Sequence, residues 1–101
     1  MALKSNTLTP KQKSFLRSLA HNLSPVVMTG AAGLSEAVVK EIELALAHHE
    51  LIKVKLGGAD KDLRQQMSTE ICTQTGASAV QIIGRILVIY RPAKQPGLKL
   101  P

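Results

Sequence analysis

Residues 34–56, LSEAVVKEIELALAHHELIKVKL, contain two different periodicities, and the change from one to the other decides the fold. Leu34, Ala37, Val38, Ile42, Ala45, Leu46 and His49 recur at three- and four-residue steps, with Glu36, Lys40, Glu43 and Glu50 opposite. That spacing predicts an amphipathic helix, with His49 as a partly buried packing residue. From Leu51 the period drops to two. Ile52, Val54 and Leu56 then share one face and Lys53 and Lys55 the other, as in a half-buried strand. Upstream, Val26-Val27-Met28 is a short run rich in β-branched residues, read as a buried strand, and Gly30-Ala31-Ala32-Gly33 leads from it into the helix.

Working outward, Thr9-Pro10 marks a helix start, with Thr9 as N-cap and Pro10 at the first helical position. Phe15, Leu16 and Leu19 give that helix an apolar side up to about Ala20. Downstream, Gly57-Gly58 breaks the second strand, Asp60 caps a third helix, and Leu63, Met67 and Ile71 line it as far as Gly76. Val80 to Ile83 and Ile86 to Tyr90 are two strands joined by Gly84-Arg85, a two-residue loop suited to a type II′ hairpin. That loop pairs Ile83 with Ile86, Gln81 with Val88 and Ala79 with Tyr90, and on the other face Ile82 with Leu87 and Val80 with Ile89. The second face is the more apolar and is expected under helices two and three. The face with Gln81 and Tyr90 is left partly exposed or covered by helix one.

The order α-β-α-β-α-β-β predicts an α/β (α+β) fold: a mixed four-stranded sheet with helices packed on it. At 101 residues the chain is one domain, expected over residues 1–94. Residues 95–101 are read as part of a basic, poorly packed tail, since Pro92, Pro96 and Pro101 punctuate the end of the chain.

Thirteen Lys and Arg face seven Asp and Glu, a formal charge of +6, but the distribution says more than the total. Residues 1–35 carry four basic side chains and no acid, and residues 71–101 do the same. All seven acids fall in residues 36–70. If the two ends share one side of the fold, they present a surface for a polyanion, of which nucleic acid is the commonest. A net positive charge also serves solubility, and charge alone does not separate the two readings. The apolar runs are far shorter than the ~20 residues of a membrane helix. The N-terminus lacks the apolar segment of a secretory signal, so a cytoplasmic protein is expected. A lone Cys72 excludes an internal disulfide and any Cys-based zinc framework, and no cofactor is expected.

Gly30-Ala31-Ala32-Gly33 allows a sharp turn whose backbone can approach a ligand, and amides at the start of the following helix can donate to phosphate. Ala31 and Ala32 supply no side-chain donors, and Glu36 in the first turn repels an anion, so phosphate contact needs basic help from elsewhere. The motif lacks the Lys-Ser or Lys-Thr of a nucleotide-binding P-loop and the third glycine of a dinucleotide fingerprint. Standing alone, it reads as a strand-to-helix turn that needs glycine.

Further stretches accompany it. Leu8-Thr9-Pro10-Lys11-Gln12-Lys13, Leu19-Ala20-His21, Pro25-Val26-Val27 running into Gly30 to Glu36, His48 to Lys55, and Val80 to Arg85 leading to Tyr90-Arg91-Pro92 together resemble the bacterial YhbY family. These are stand-alone CRM (chloroplast RNA splicing and ribosome maturation) domain proteins. The resemblance implies a fold similar to the C-terminal domain of translation initiation factor three and a GxxG loop analogous to that of KH domains. It also implies RNA binding and association with precursors of the large ribosomal subunit. The family's RNA-binding role carries over to Gly30, Ala31, Ala32 and Gly33 and to basic positions around that loop and on the sheet side.

Among the basic residues, Arg85 at the hairpin tip and Arg91 beyond the last strand are the strongest candidates, because no acid lies near them in sequence. Lys53 and Lys55 read equally as a solvated strand face, and Lys11 and Lys13 as a solvated start of helix one. Phe15 and Tyr90 are the only aromatics, so the stacking platform of many single-strand binders is missing. Contacts to phosphate and sugar of structured RNA, probed by Lys, Arg and loop amides, are expected instead. His48-His49-Glu50 lacks the i, i+4 His pair of a zinc protease, and Cys72 has no neighbouring base, so catalysis is not expected. The reading is a monomeric, non-catalytic binder of rRNA in large-subunit assembly, without membrane or small-molecule partner. The alternative is a module that contacts a ribosomal protein or assembly factor, with loose rRNA attraction.

Overall fold

The structure is a computed structural model that describes residues 8–30, 33–58 and 60–101. Its elements are α1 (Pro10–Ala20), β1 (Val27–Met28), α2 (Glu36–His49), β2 (Leu51–Lys55), α3 (Lys61–Thr75), β3 (Ser78–Ile83) and β4 (Ile86–Tyr90). The helix starts follow from side-chain caps. The Thr9 hydroxyl accepts from the Gln12 amide and the Gln12 side chain accepts from the Thr9 amide, a reciprocal capping box. Ser35 accepts from the Val38 amide and Asp60 from the Asp62 amide. Gly76 closes α3 with φ +74°, where a side chain would be strained.

The strands lie in the order β1-β2-β4-β3, with β1 parallel to β2 and the other two pairings antiparallel. The connection through α3 leaves a gap beside β2, and the hairpin brings β4 back into it. This is the expected α+β sheet with helices on it. Helices α2 and α3 cover one face around Ile42, Leu46, Ile52, Val54, Ile71, Leu87 and Ile89, each at most 1% exposed. Helix α1 covers part of the other through Leu16 and Ala20 on Leu51, Val80, Val88 and Tyr90. Tyr90 is therefore covered by α1, one of its two expected environments.

Four expectations change. The hairpin pairs Ile83, Ile82 and Gln81 as expected, but an irregularity between Ala79 and Gln81 shifts the rest, so Ala79 pairs with Ile89 and Ser78 with Tyr90. This extra residue turns Val80 away from the α2–α3 side into the α1 cluster. Of Val26, Val27 and Met28 only Val27 is buried; Val26 and Met28 alternate onto the sheet face that α1 covers only in part. His49 is exposed, since Glu50, one turn beyond Leu46, takes the buried position at the end of α2 with φ +65°. The tail, though mostly exposed, is docked at points: the half-buried Leu98 and Leu100 lie against the α1 cluster, the Gly97 amide donates to Glu50 Oε2 at 2.6 Å, and Gln12 Nε2 donates to the Pro101 carbonyl at 3.3 Å. Two leucines give that segment enough apolar area to hold it despite its prolines.

Candidate nucleic-acid interface

One end of the sheet gathers the glycine loop, the end of β2 and the hairpin tip. Met28 pairs with Lys55 where β1 and β2 both finish, and Lys55 pairs with Ile86 where β4 begins. The Leu56 amide donates to the Arg85 carbonyl at 2.6 Å, fastening the tip to the end of β2. Gly84 has φ +57° and Arg85 a negative φ, the sign pattern of the expected turn.

Thr29 anchors the loop. Its amide donates to the Lys55 carbonyl at 2.9 Å, and its hydroxyl accepts from the Gly57 amide at 2.8 Å. Gly57 lies so close to this segment that a Cβ on it would stand 2.7 Å from the Thr29 carbonyl oxygen and from the Gly30 carbonyl carbon. Only glycine fits there. Gly30 and Gly33 bridge the base of the loop, the Gly33 amide donating to the Gly30 carbonyl at 3.2 Å. Gly33 adopts φ +106°, yet a Cβ at either glycine would meet open space. The loop base therefore faces outward. Ala31 and Ala32 lie outside the described residues.

The basic residues divide by place. Lys55 and Arg85 are exposed at the loop end. Lys53 stands one row back on the same face as Lys55, and its Nζ donates to the Leu23 carbonyl at 3.0 Å. Between α1 and this face runs a groove lined by Arg17, His21, Lys53, Gln81, Ile83 and Ile86 among others, and no Asp or Glu lines it among the described residues. Lys13, Arg17 and His21 follow one another at four-residue steps, so α1 turns a basic row along its length. Lys11 and Lys13 belong to the first turn of α1 and do not line this groove. Arg17, His21 and Gly57 were not among the expected site residues; the four-residue spacing from Lys13 was the available signal for the first two.

Arg91 is elsewhere. It follows Tyr90, which pairs with Leu51 at the opposite end of β2. Its guanidinium pairs with the Glu43 carboxylate and donates to the Thr75 carbonyl at 2.8 Å, tying the end of β4 to the middle of α2 and the end of α3. The fold supplies an acid that sequence neighbours do not, so Arg91 is not a free cation beside the loop.

Other chemistry is limited. Burial pushes the Cys72 thiol up, which keeps it protonated. Burial, with the nearby Glu50 charge, also raises the Tyr90 hydroxyl. Among the described residues, no three His, Cys, Asp or Glu side chains come together as metal ligands, and no helix is long and apolar enough to cross a membrane.

Residues 8–91 match the model of the CRS1/YhbY (CRM) domain. The chain belongs to the CRM domain family. A Haemophilus influenzae protein named RNA-binding protein is 55% identical over 95 residues, covering 94% of this chain and 96% of its own length. A probable RNA-binding protein of Pseudomonas aeruginosa is 42% identical over 92% of this chain and 89% of its own length. The solution structure of a Staphylococcus aureus protein superposes with a TM-score of 0.83 at 38% identity, over 94% of this chain and all of the other.

Proposed function

We propose that this CRM protein is a non-catalytic RNA-binding protein that associates with rRNA of the large-subunit precursor during ribosome assembly. It acts as a cytoplasmic monomer without a cofactor. The carrying observation is the convergence of Gly30, Gly33, Lys55 and Arg85 at one sheet end, beside a groove lined by Lys53, Arg17 and His21 and, among the described residues, by no acid. The names of the relatives support RNA as the polyanion, and the YhbY resemblance supports the ribosomal class.

In this reading the loop amides and the cations hold phosphates, Lys11 and Lys13 extend the contact along α1, and shape rather than base identity is recognised. Arg91 contributes by holding the elements in place. Mapping crosslinks from the tagged protein in cells tests it: contacts concentrate on large-subunit rRNA, and a map dominated by other RNA classes overturns it. In vitro, neutralising about five phosphates makes log affinity fall with log salt at a slope of about −4 to −5. A second reading, docking on a ribosomal protein or assembly factor, draws on the apolar groove between Leu19, Leu23, Val26 and Leu98. A flat salt dependence favours it.

A further inference from the structure

The half of the sheet face that α1 leaves open carries apolar surface as well as charge. Met28 pairs with Lys55, Lys55 with Ile86 and Ile86 with Ile83, so these four side chains stand abreast across all four strands. The row is about 14 Å wide, since neighbouring strands are about 4.8 Å apart. Its two apolar ends are exposed: Met28 is 64% and Ile83 63% accessible, and Val26 beside Met28 is 53%. Large aliphatic side chains held in water on one patch mark a contact surface. Ile86 and Ile83, at the hairpin side of the row, also line the groove beside α1, where Lys53, Arg17 and His21 stand with them and no acid among the described residues does.

That combination discriminates among polyanions. A duplex turns phosphates outward and stacks its bases within. A phosphate set against Met28 or Ile83 loses water without gaining a donor, which is unfavourable. Unpaired nucleotides instead expose base and ribose faces, which are apolar enough to lie on an aliphatic row, while their phosphates reach the cationic rim. Without an aromatic side chain the contact is tolerant of sequence, and Gln81 offers both a donor and an acceptor beside the row.

We infer that the open face between α1 and the hairpin tip takes a short unpaired run of the bound RNA, with base or ribose faces on Met28, Ile86 and Ile83 and phosphates toward Lys53, Lys55 and Arg17. This inference rests on the RNA-binding reading and adds to it a class of RNA: structured RNA with unpaired nucleotides beside the paired part.

The test compares the full-length protein with a Met28→Ser/Ile83→Ser variant on two probes, a short uridine oligonucleotide and a fully paired RNA duplex. Both side chains are largely exposed, so thermal unfolding should stay unchanged, and Met28→Ser alone serves if the double variant unfolds. The variant should lose roughly tenfold in affinity for the oligonucleotide, from the apolar area no longer covered, and stay within about twofold on the duplex. Equal losses on both probes overturn the inference, as does full retention on the oligonucleotide, which leaves the face to a protein partner. Arg85→Glu, run in parallel, lowers binding to both probes if the RNA reading holds. Failure of the unsubstituted protein to bind either probe defeats that reading itself.

Discussion

The Gly57 amide donates to the Thr29 hydroxyl at 2.8 Å, which clamps the segment after β2 to the residue that immediately precedes the glycine loop. Thr29 is 3% exposed, so the accepting side of this bond is buried, and its hydroxyl also lies 3.8 Å from Met67 Sδ on α3. The loop's starting point is thus set by β2 and α3, not by β1 alone, whose two residues make a short anchor.

Gly57→Ala places a methyl group 2.7–2.8 Å from the backbone of Thr29 and Gly30, which cannot withdraw as a flexible side chain would. A destabilisation of about 2 kcal/mol is expected from such overpacking, lowering the melting temperature by roughly 10 °C. Thermal unfolding followed by circular dichroism measures it. An unchanged transition means that the two segments separate freely.

Gly33→Val meets no neighbour, but it forces a β-branched residue into φ +106°. The domain should remain folded with a loss of about 1–2 kcal/mol while the loop base distorts. RNA affinity should fall in the folded variant. Filter binding alongside the unfolding curve separates the two effects, and unaltered affinity removes the loop from the interface.

Arg85 and Arg91 should respond in opposite ways. Arg85→Glu weakens binding to unrelated structured RNAs alike and makes the log–log salt slope shallower by at least about 1. Arg91→Ala removes the Glu43 pair and the hydrogen bond to the Thr75 carbonyl, lowering stability by about 1–2 kcal/mol, with the salt slope of the folded fraction unchanged. Denaturant titrations and salt titrations on both variants check this. A stable Arg91→Ala protein with a shallower slope reverses the assignment.

Tyr90 supplies a pH dependence. Burial and the Glu50 charge raise its hydroxyl in the folded state above the ordinary value of 10.0. The folded chain therefore holds this proton more tightly than the unfolded one. The stabilisation is fully present below the unfolded value and is lost as pH rises through the folded one. Tyr90→Phe should flatten the decline in stability above about pH 10 that remains in a Cys72→Ser control, as measured by denaturant midpoints. An identical alkaline decline in both excludes Tyr90 as its source.

Much of the candidate site was legible because glycine and charge act locally. Gly30 and Gly33 announce a bend, and Lys53, Lys55 and Arg85 stand on a strand and a turn whose positions follow from alternation and loop length. Arg17 and His21 join them only because α1 packs across the sheet, a contact between segments more than thirty residues apart. Arg91 leaves the set for the same kind of reason: Glu43 is 48 positions away in sequence and adjacent in space.

The alternation of Leu51 to Leu56, the helical stripe before it, the caps at Thr9 and Asp60 and the Gly84-Arg85 turn were enough to determine the order of elements and a mixed sheet. Each is a property of a few neighbouring residues, and backbone geometry converts it directly into a local structure. The bulge that turns Val80 toward α1, the docking of Leu98 and Leu100, and the half-face left bare at Met28 and Ile83 were decided by tertiary packing. Burial is settled by which distant surfaces meet, and a helix of eleven residues covers only part of a four-stranded face, so the uncovered remainder exists only once the chain has folded.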